Sequence, residues 1–563
     1  EEEQGVQLQS GGNTQVQAAQ ELNAKDLKVQ AAQEVKLQSG QAMQLQAGHI
    51  MGKDVVVQAD GQLKAQNLSV QGQSSVNIQA ASAQLESSWL QSEGDLKLKT
   101  TQGDLTLQNT DAQVAGNANV QSAGALKLLA AEQKTATTTS YATSDVNAGG
   151  NLTLQSTQDL TAQGSRLSAG QDLKVESTGG SVNLQAVRNT QDTVVNTTQE
   201  RKVFGMTLKT SQSTSIHQED VQGVELTSGG NTQVKALGDL TAESLQLRAG
   251  GDAALGAAGA VAITSGQAYS STQTGSDVRQ SLQTDRSQIE AGGNVTVYGA
   301  QSVKLSATDV DAGGKALVQS KGDIELGYNT DTDQRNWITS HSSGNIIKSK
   351  TTTTNHTTVD KTAEVTKIDA AQVQVLGNNI TSLGADITGQ TLVQVEGVGK
   401  TALYAVNEEH LNKADSKSSS SFVGISYSKS SSSDSSLNTT ALGTKLTSEE
   451  AIKVGVGTVT DVRGAIMTAP KIDIVRSAGA DTSKPGELIL GTSSNTTETS
   501  HTEKTTTAGV WQAQSGQGST TETANQTVIN GKLNIGAGIN TTVQIPEGNL
   551  KDQIASLSQQ PGM

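Results

Sequence analysis

The sequence lacks cysteine altogether, which excludes disulfide staples and thiolate metal sites and suits an exported chain that must avoid unwanted cross-links. It is also poor in rings: aromatic residues are 2% and all hydrophobic residues 33% of its 563 positions. That shortage excludes a conventional thick core, which needs a composition about half apolar and draws on large rings. Disorder is excluded by other shortages, since only 4 prolines interrupt the chain and charge is scattered rather than blocked. With a formal net charge of −15 there is no basic stripe to follow a phosphate backbone, so nucleic acid is not an expected partner. No run approaches the ~18 apolar residues of a membrane helix. Glu1 to Glu3 open the chain without a signal-peptide pattern, so it reads as an internal fragment.

What is present is a series of short apolar pairs at alternate positions, recurring about every ten residues: Val6 and Leu8, Leu27 and Val29, Val35 and Leu37, Met43 and Leu45, Val55 and Val57, Val76 and Ile78, Leu96 and Leu98, Leu105 and Leu107. Alternation is the strand signal, and a core one or two side chains wide suffices when each unit buries its face on the next. Gly12-Asn13, Gly94-Asp95, Gly103-Asp104, Gly150-Asn151, Gly238-Asp239 and Gly322-Asp323 punctuate the joints, where a positive φ at tight corners is the expected need. The fold class that follows is all-β, a right-handed parallel β-helix or β-solenoid. Two strands to a unit of about twenty residues give about twenty coils and a shaft on the order of 100 Å long. Glutamines after the inward residue, such as Gln38, Gln46, Gln108 and Gln185, either stack in amide ladders or face solvent.

A longer pattern overlies the coils. Residues 1–130 read as regular coils, and residues 131–548 as coils interrupted by Ser/Thr-rich stretches near 131–147, 188–222, 268–288, 329–366, 412–446 and 492–526. Their β-prone arms around small-residue clusters predict hairpins or loops projecting from the shaft. Phe204, Trp337, Phe422, Tyr427 and Trp511 fall on these extrusions, while rings are scarce elsewhere. They are candidate contact residues for a partner or a membrane interface; the alternative is that each ring packs its hairpin onto the shaft. At 549–563, Leu550, Ile554 and Leu557 share one face of a short helix, a cap or a linker to a further domain.

Signs of catalysis and of cofactors are missing from the pattern. Gly397-Val-Gly-Lys-Thr401 resembles a phosphate loop, but Gln394 stands where that loop needs glycine. Gly250-Gly251-Asp252 is a lone step without the tandem repeats of a calcium β-roll. His49, His217, His341, His356, His410 and His501 never take the spacing of a zinc site. A β-helix acting on polysaccharide clusters carboxylates with aromatic platforms, whereas here the acids lie mainly beside corner glycines and the rings avoid the coils. No enzyme, cofactor or metal is expected.

Units such as Ala148-Gly-Gly-Asn-Leu-Thr-Leu-Gln-Ser-Thr157, Ser228-Gly-Gly-Asn-Thr-Gln-Val234 and Ala291-Gly-Gly-Asn-Val-Thr-Val297 closely resemble the haemagglutinin repeats of the filamentous haemagglutinin family. Their alternation with Ser/Thr-rich excursions looks like the second repeat region of two-partner secretion and contact-dependent growth inhibition exoproteins. The segment Asn530-Gly-Lys-Leu-Asn-Ile535, through Val543-Gln-Ile545, to Gln559-Gln-Pro-Gly-Met563 looks like the stretch that closes this region ahead of pretoxin and toxin domains. The resemblance implies export through an outer-membrane transporter barrel, and retention in the producer's periplasm until contact. It further implies association with a target-cell outer membrane or its receptor, and delivery of a C-terminal toxin domain carried in cis. Haemagglutinin-type attachment to host or neighbouring cells is the alternative, because repeat units alone are shared with adhesins.

Overall fold

Alternation places Val35 and Leu37 on one side of strand Glu34–Ser39, both fully buried, while Lys36 and Gln38 lie partly exposed on the other. The computed structural model describes residues 6–203, 206–345, 347–422, 425–507 and 511–544. Through nearly all of them the same inward pairing repeats, and parallel strands stack coil on coil as a β-solenoid. Gln7 pairs with Lys28, Thr14 with Val35 and Leu22 with Met43. Each coil therefore holds three strands, not the two expected. One strand in three was hidden in the sequence because an inward position is often alanine, as at Ala65, Ala83, Ala162 and Ala242 in the third column and Ala112, Ala148 and Ala169 in the first. Three strands and long insertions leave about seventeen coils, a shaft of ~80 Å at a strand spacing near 4.8 Å.

The corner glycines do not serve the purpose expected of them. None of Gly12, Gly94, Gly103, Gly150, Gly238 and Gly322 has positive φ. Close stacking is the reason at most of them: a Cβ on Gly94 would lie 1.9 Å from the Ser74 carbonyl oxygen, and one on Gly322 1.9 Å from that of Gln301. The Asn or Asp that follows bonds to the next coil. The Asn151 amide N–H donates to Asn117 Oδ1 (2.9 Å), that of Asp172 to Asn151 (3.0 Å), that of Asn231 to Asp172 (2.7 Å), and those of Asp252 and Asn294 continue the ladder. At these exposed corners each bond contributes about 0.5–1.5 kcal/mol, so the side chains are structural through their repetition along the ladder. Glutamine ladders also form, with Gln71–Gln91, Gln163–Gln185 and Gln374–Gln394 bonded at 3.1, 3.1 and 2.9 Å.

Left-handed backbone is found instead at the third corner. Asp26, Ala47, Asn67, Ser87 and Asn109 turn there one after another. After residue 130 that corner alternates: a hairpin at 131–142, then Gly164; a hairpin at 187–222, then Ser244; a hairpin at 266–285, then Ala307; a hairpin at 328–365, then Gly384; a hairpin at 406–442, then Gly464; a hairpin at 492–526. Every second coil thus emits a hairpin, always from the same corner.

These six hairpins join edge to edge into one antiparallel sheet, a flange along the shaft. Thr138 pairs with Gln191, Thr214 with Thr274, Val278 with Asn336, Lys348 with Phe422, and Ser428 with Thr507. The spacing makes this possible. Two coils rise about 9.6 Å, and the two strands of a hairpin occupy about 9.6 Å of sheet. A hairpin on every coil would crowd the flange, and one on every third coil would leave a gap a strand wide.

Candidate contact surface

The flange departs from the shaft in chemistry as well as direction. Its strands carry Ser and Thr on both faces, so they bury little and offer hydroxyls outward. Thr352 and Ser418 (3.1 Å), Thr354 and Ser416 (2.8 Å), and Ser435 and Ser500 (2.8 Å) bond across the seams between hairpins. Threonine suits such a sheet because β-branching favours extended backbone.

Charged and aromatic side chains weld the same seams. Trp337, on the fourth hairpin, is half-buried and lies against its directly opposed partner His356, with ring centroids 4.7 Å apart and planes 12° apart. The Arg335 guanidinium sits 4.6 Å from the Trp337 ring and donates to both carboxylate oxygens of Asp277 on the third hairpin, at 3.1 and 2.8 Å. Those bonds hold the Asp277 pKa below the ordinary carboxylate range. Trp337 therefore packs within the flange, not onto the shaft.

Phe422 and Tyr427 sit elsewhere, at the outer end of the fifth hairpin, 55% and 38% exposed, and Ile347 at the outer turn of the fourth is 57% exposed. Trp511 begins the outer strand of the sixth hairpin, opposite Thr507. Phe204 lies outside the described residues, as does the expected helix at 549–563. The structure thus brings Phe422, Tyr427 and the Trp511 backbone to the outer rim and leaves Trp337 nearer the shaft.

Three histidines missing from the candidate residues prove to be placed alike. His217, His410 and His501 each stand directly opposite an aspartate, Asp192, Asp360 and Asp434. Nδ1 of His217 lies 2.7 Å and that of His410 2.9 Å from its carboxylate, and His501 bonds to Asp434 likewise. The bonded carboxylate raises the pKa of His217 and of His501 above the ordinary 6.5. Sequence separations of 25, 50 and 67 residues hide these pairs until the hairpin register is known. Around the last pair Asn412, Ala414, Ser436 and Thr499 line a shallow hollow of about 420 Å³. Among the described residues no serine or threonine hydroxyl bonds to the far nitrogen of His217, His410 or His501, and no group of three or more potential metal ligands forms.

Residues 68–144, 134–203 and 204–285 match the family model described as hemagglutinin repeat, a span that takes in the first three hairpins and the coils between them. No curated protein and no solved structure matches the chain.

Proposed function

This is a hemagglutinin-repeat chain of the filamentous haemagglutinin family, and from that premise we propose that its flange is the surface by which a secreted exoprotein engages a neighbouring cell. Proteins with these repeats are typically secreted or cell-surface structural and adhesive proteins, and this segment is a shaft of that kind. The finer reading is delivery. Exported through an outer-membrane transporter barrel and held in the periplasm before contact, the segment meets a target-cell outer membrane or its receptor and helps pass a C-terminal toxin, carried in cis, into that cell.

One observation carries this reading. Six insertions, none needed to close a coil, are spaced so that they fuse into a single hydroxyl-rich sheet whose outer rim exposes Ile347, Phe422 and Tyr427. A solenoid gains nothing in stability from such a rim, whereas apolar side chains on a polar sheet suit insertion at a lipid headgroup boundary or an anchor pocket.

The test replaces each hairpin, in the full exoprotein, by the single glycine found at Gly384 and Gly464. The shaft should still fold and be exported, while killing of target cells is lost. Undiminished killing would sink the proposal. Attachment lost along with killing supports contact by the flange, and a gene lacking a downstream toxin favours the adhesin reading that the repeats themselves suggest.

A further inference from the structure

Lysine is confined in an unexpected way within this acidic chain. Over 348–355, 416–433 and 502–507, the outer parts of the fourth, fifth and sixth hairpins, there are five lysines, Lys348, Lys350, Lys417, Lys429 and Lys504, and one acid, Glu503. Closer to the shaft the same hairpins carry Asp331, Asp333, Asp360, Glu408, Glu409 and Asp434. The flange is therefore basic at its outer edge and acidic at its root.

Three of those lysines share one face. Lys417 is directly opposite Ser431, and Ser431 directly opposite Lys504, so the two lysines bracket a serine across three adjacent strands, with about 9.6 Å between their backbones. Lys429 lies two residues from Ser431 on the middle strand and hence on the same side, opposite Thr506. With Thr353, Ser431 and Thr506 these lysines line a hollow of about 440 Å³. Glu503, next to Lys504, points to the other face. The nearest acid on this face, Asp415, is already bonded by the Ser433 hydroxyl (2.6 Å) and Lys413 (3.0 Å). Among the described residues none of the three ammonium groups forms an ion pair with a carboxylate. Tyr427, two residues beyond Lys429 on the same strand, sits where the pairing register shifts between Ser420 and Ser421 and is exposed at the rim, outside the hollow.

We propose that this hollow binds a saccharide bearing phosphate ester groups. Lys417, Lys429 and Lys504 hold the phosphate as point charges, and Thr353, Ser431 and Thr506 exchange hydrogen bonds with sugar hydroxyls. The Thr, Ser and Lys lining, without a ring or an arginine fork, argues against a nucleic-acid track, which stacks successive bases. The inference deepens the contact reading of the flange and rests on it for its biological meaning, but binding is measured on the purified chain without cells, so either can fail alone.

The probes are an immobilised phosphomannan, the same polymer after phosphatase treatment, phosphatidylcholine vesicles carrying a diphosphorylated glycolipid, and duplex DNA. Binding to phosphomannan at low salt should weaken at least about tenfold in K417Q/K429Q/K504Q and stay unchanged in the shaft control K28Q/K64Q/K97Q. Thermal melts should coincide, since all six lysines are at the surface. Binding to both phosphomannan and vesicles assigns the phosphosaccharide itself as sufficient, and binding to vesicles alone assigns a lipid-anchored source; both support the proposal. Equal binding to the dephosphorylated polymer, an equal loss in the shaft control, no loss in the site variant, or tighter binding to DNA would each overturn it.

Discussion

His501 stands directly opposite Asp434 across the seam between the fifth and sixth hairpins, its Nδ1 bonded to the carboxylate. Asp434, with Glu503 adding to it, favours the charged imidazole and raises its pKa above 6.5. The sign follows from that direction. A raised folded value stabilises the flange fully below the unfolded pKa, and the contribution is lost as pH rises through the folded one. His217, raised first by Asp192 and then by Glu219, acts the same way inside the second hairpin. Amide exchange along 428–439 and 496–507, corrected for intrinsic rate, should therefore be slower at about pH 6 than at about pH 8.5. Asp434→Asn should flatten the difference at this seam. Equal protection at the two pH values in the native chain would show that the pair holds nothing together.

The two-coil rule makes a sharper prediction. Excising one coil, residues 366–384, brings the fourth and fifth hairpins to about 4.8 Å apart at their roots, where two strands need about 9.6 Å. The shaft should restack, because each coil touches only its neighbours, but the seam pairing Lys348–Lys361 with Glu409–Phe422 should open. Excising 366–443 instead removes two coils together with the fifth hairpin, and should let the fourth hairpin pair with the sixth. Hydrogen exchange separates the outcomes: protected seam amides after the one-coil excision would contradict the spacing argument.

Much of this was legible in the sequence, and what was not has physical causes. Val35 and Leu37, or Leu105 and Leu107, declare strands because alternation survives any register. Ser/Thr-rich interruptions declare departures from the shaft because they cannot fill it. One strand in three was lost where alanine fills an inward place, since alanine is common on both faces. Corner glycines were recognised as corners, but the demand on them comes from the coil beneath, as Ser74 shows at Gly94, and stacking distance is not written in one segment. The flange itself was invisible for the same reason. Its seams join residues far apart in sequence, His410 with Asp360 at 50 positions, His501 with Asp434 at 67 and Ser428 with Thr507 further still, and only the rise of the shaft sets that register.

The corner ladder supplies a graded test within one corner. Asn151→Ala removes an acceptor for the Asp172 amide and should cost about 0.5–1.5 kcal/mol. Gly149→Ala should cost more, about 1–3 kcal/mol, because its Cβ would lie 2.3 Å from the Ala115 carbonyl oxygen and backbone must move. At Gly150 the nearest atom is the Asn117 side-chain oxygen, at 2.6 Å, which can rotate away at the cost of the ladder bond it accepts from the Asn151 amide, about 0.5–1.5 kcal/mol. Gly150→Ala should accordingly fall below Gly149→Ala in urea melts; the reverse order would rule out backbone stacking as the reason for the paired glycines.

Where the third hairpin returns to the shaft, Arg286 ties three elements with one side chain, 15% exposed. Its Nε donates to Asp309 on shaft strand Thr308–Ser320 (2.8 Å), Nη1 to Glu364 of the fourth hairpin (2.8 Å), and Nη2 to the Val365 carbonyl (2.6 Å). Burial alone would lower the guanidinium pKa, but the two carboxylates outweigh it and raise it. Arg286→Met keeps the volume and strands these acceptors, so about 1.5–3 kcal/mol should be lost. Because stability in a solenoid is local, the loss should register as faster exchange at 308–312 and 361–366, with little change near residue 100. Arg286→Lys retains the charge but reaches as a single point donor, and should recover only part of the protection. If lysine recovers all of it, the charge alone matters and the three-way geometry does not; if methionine costs nothing, the joint between flange and shaft is held elsewhere.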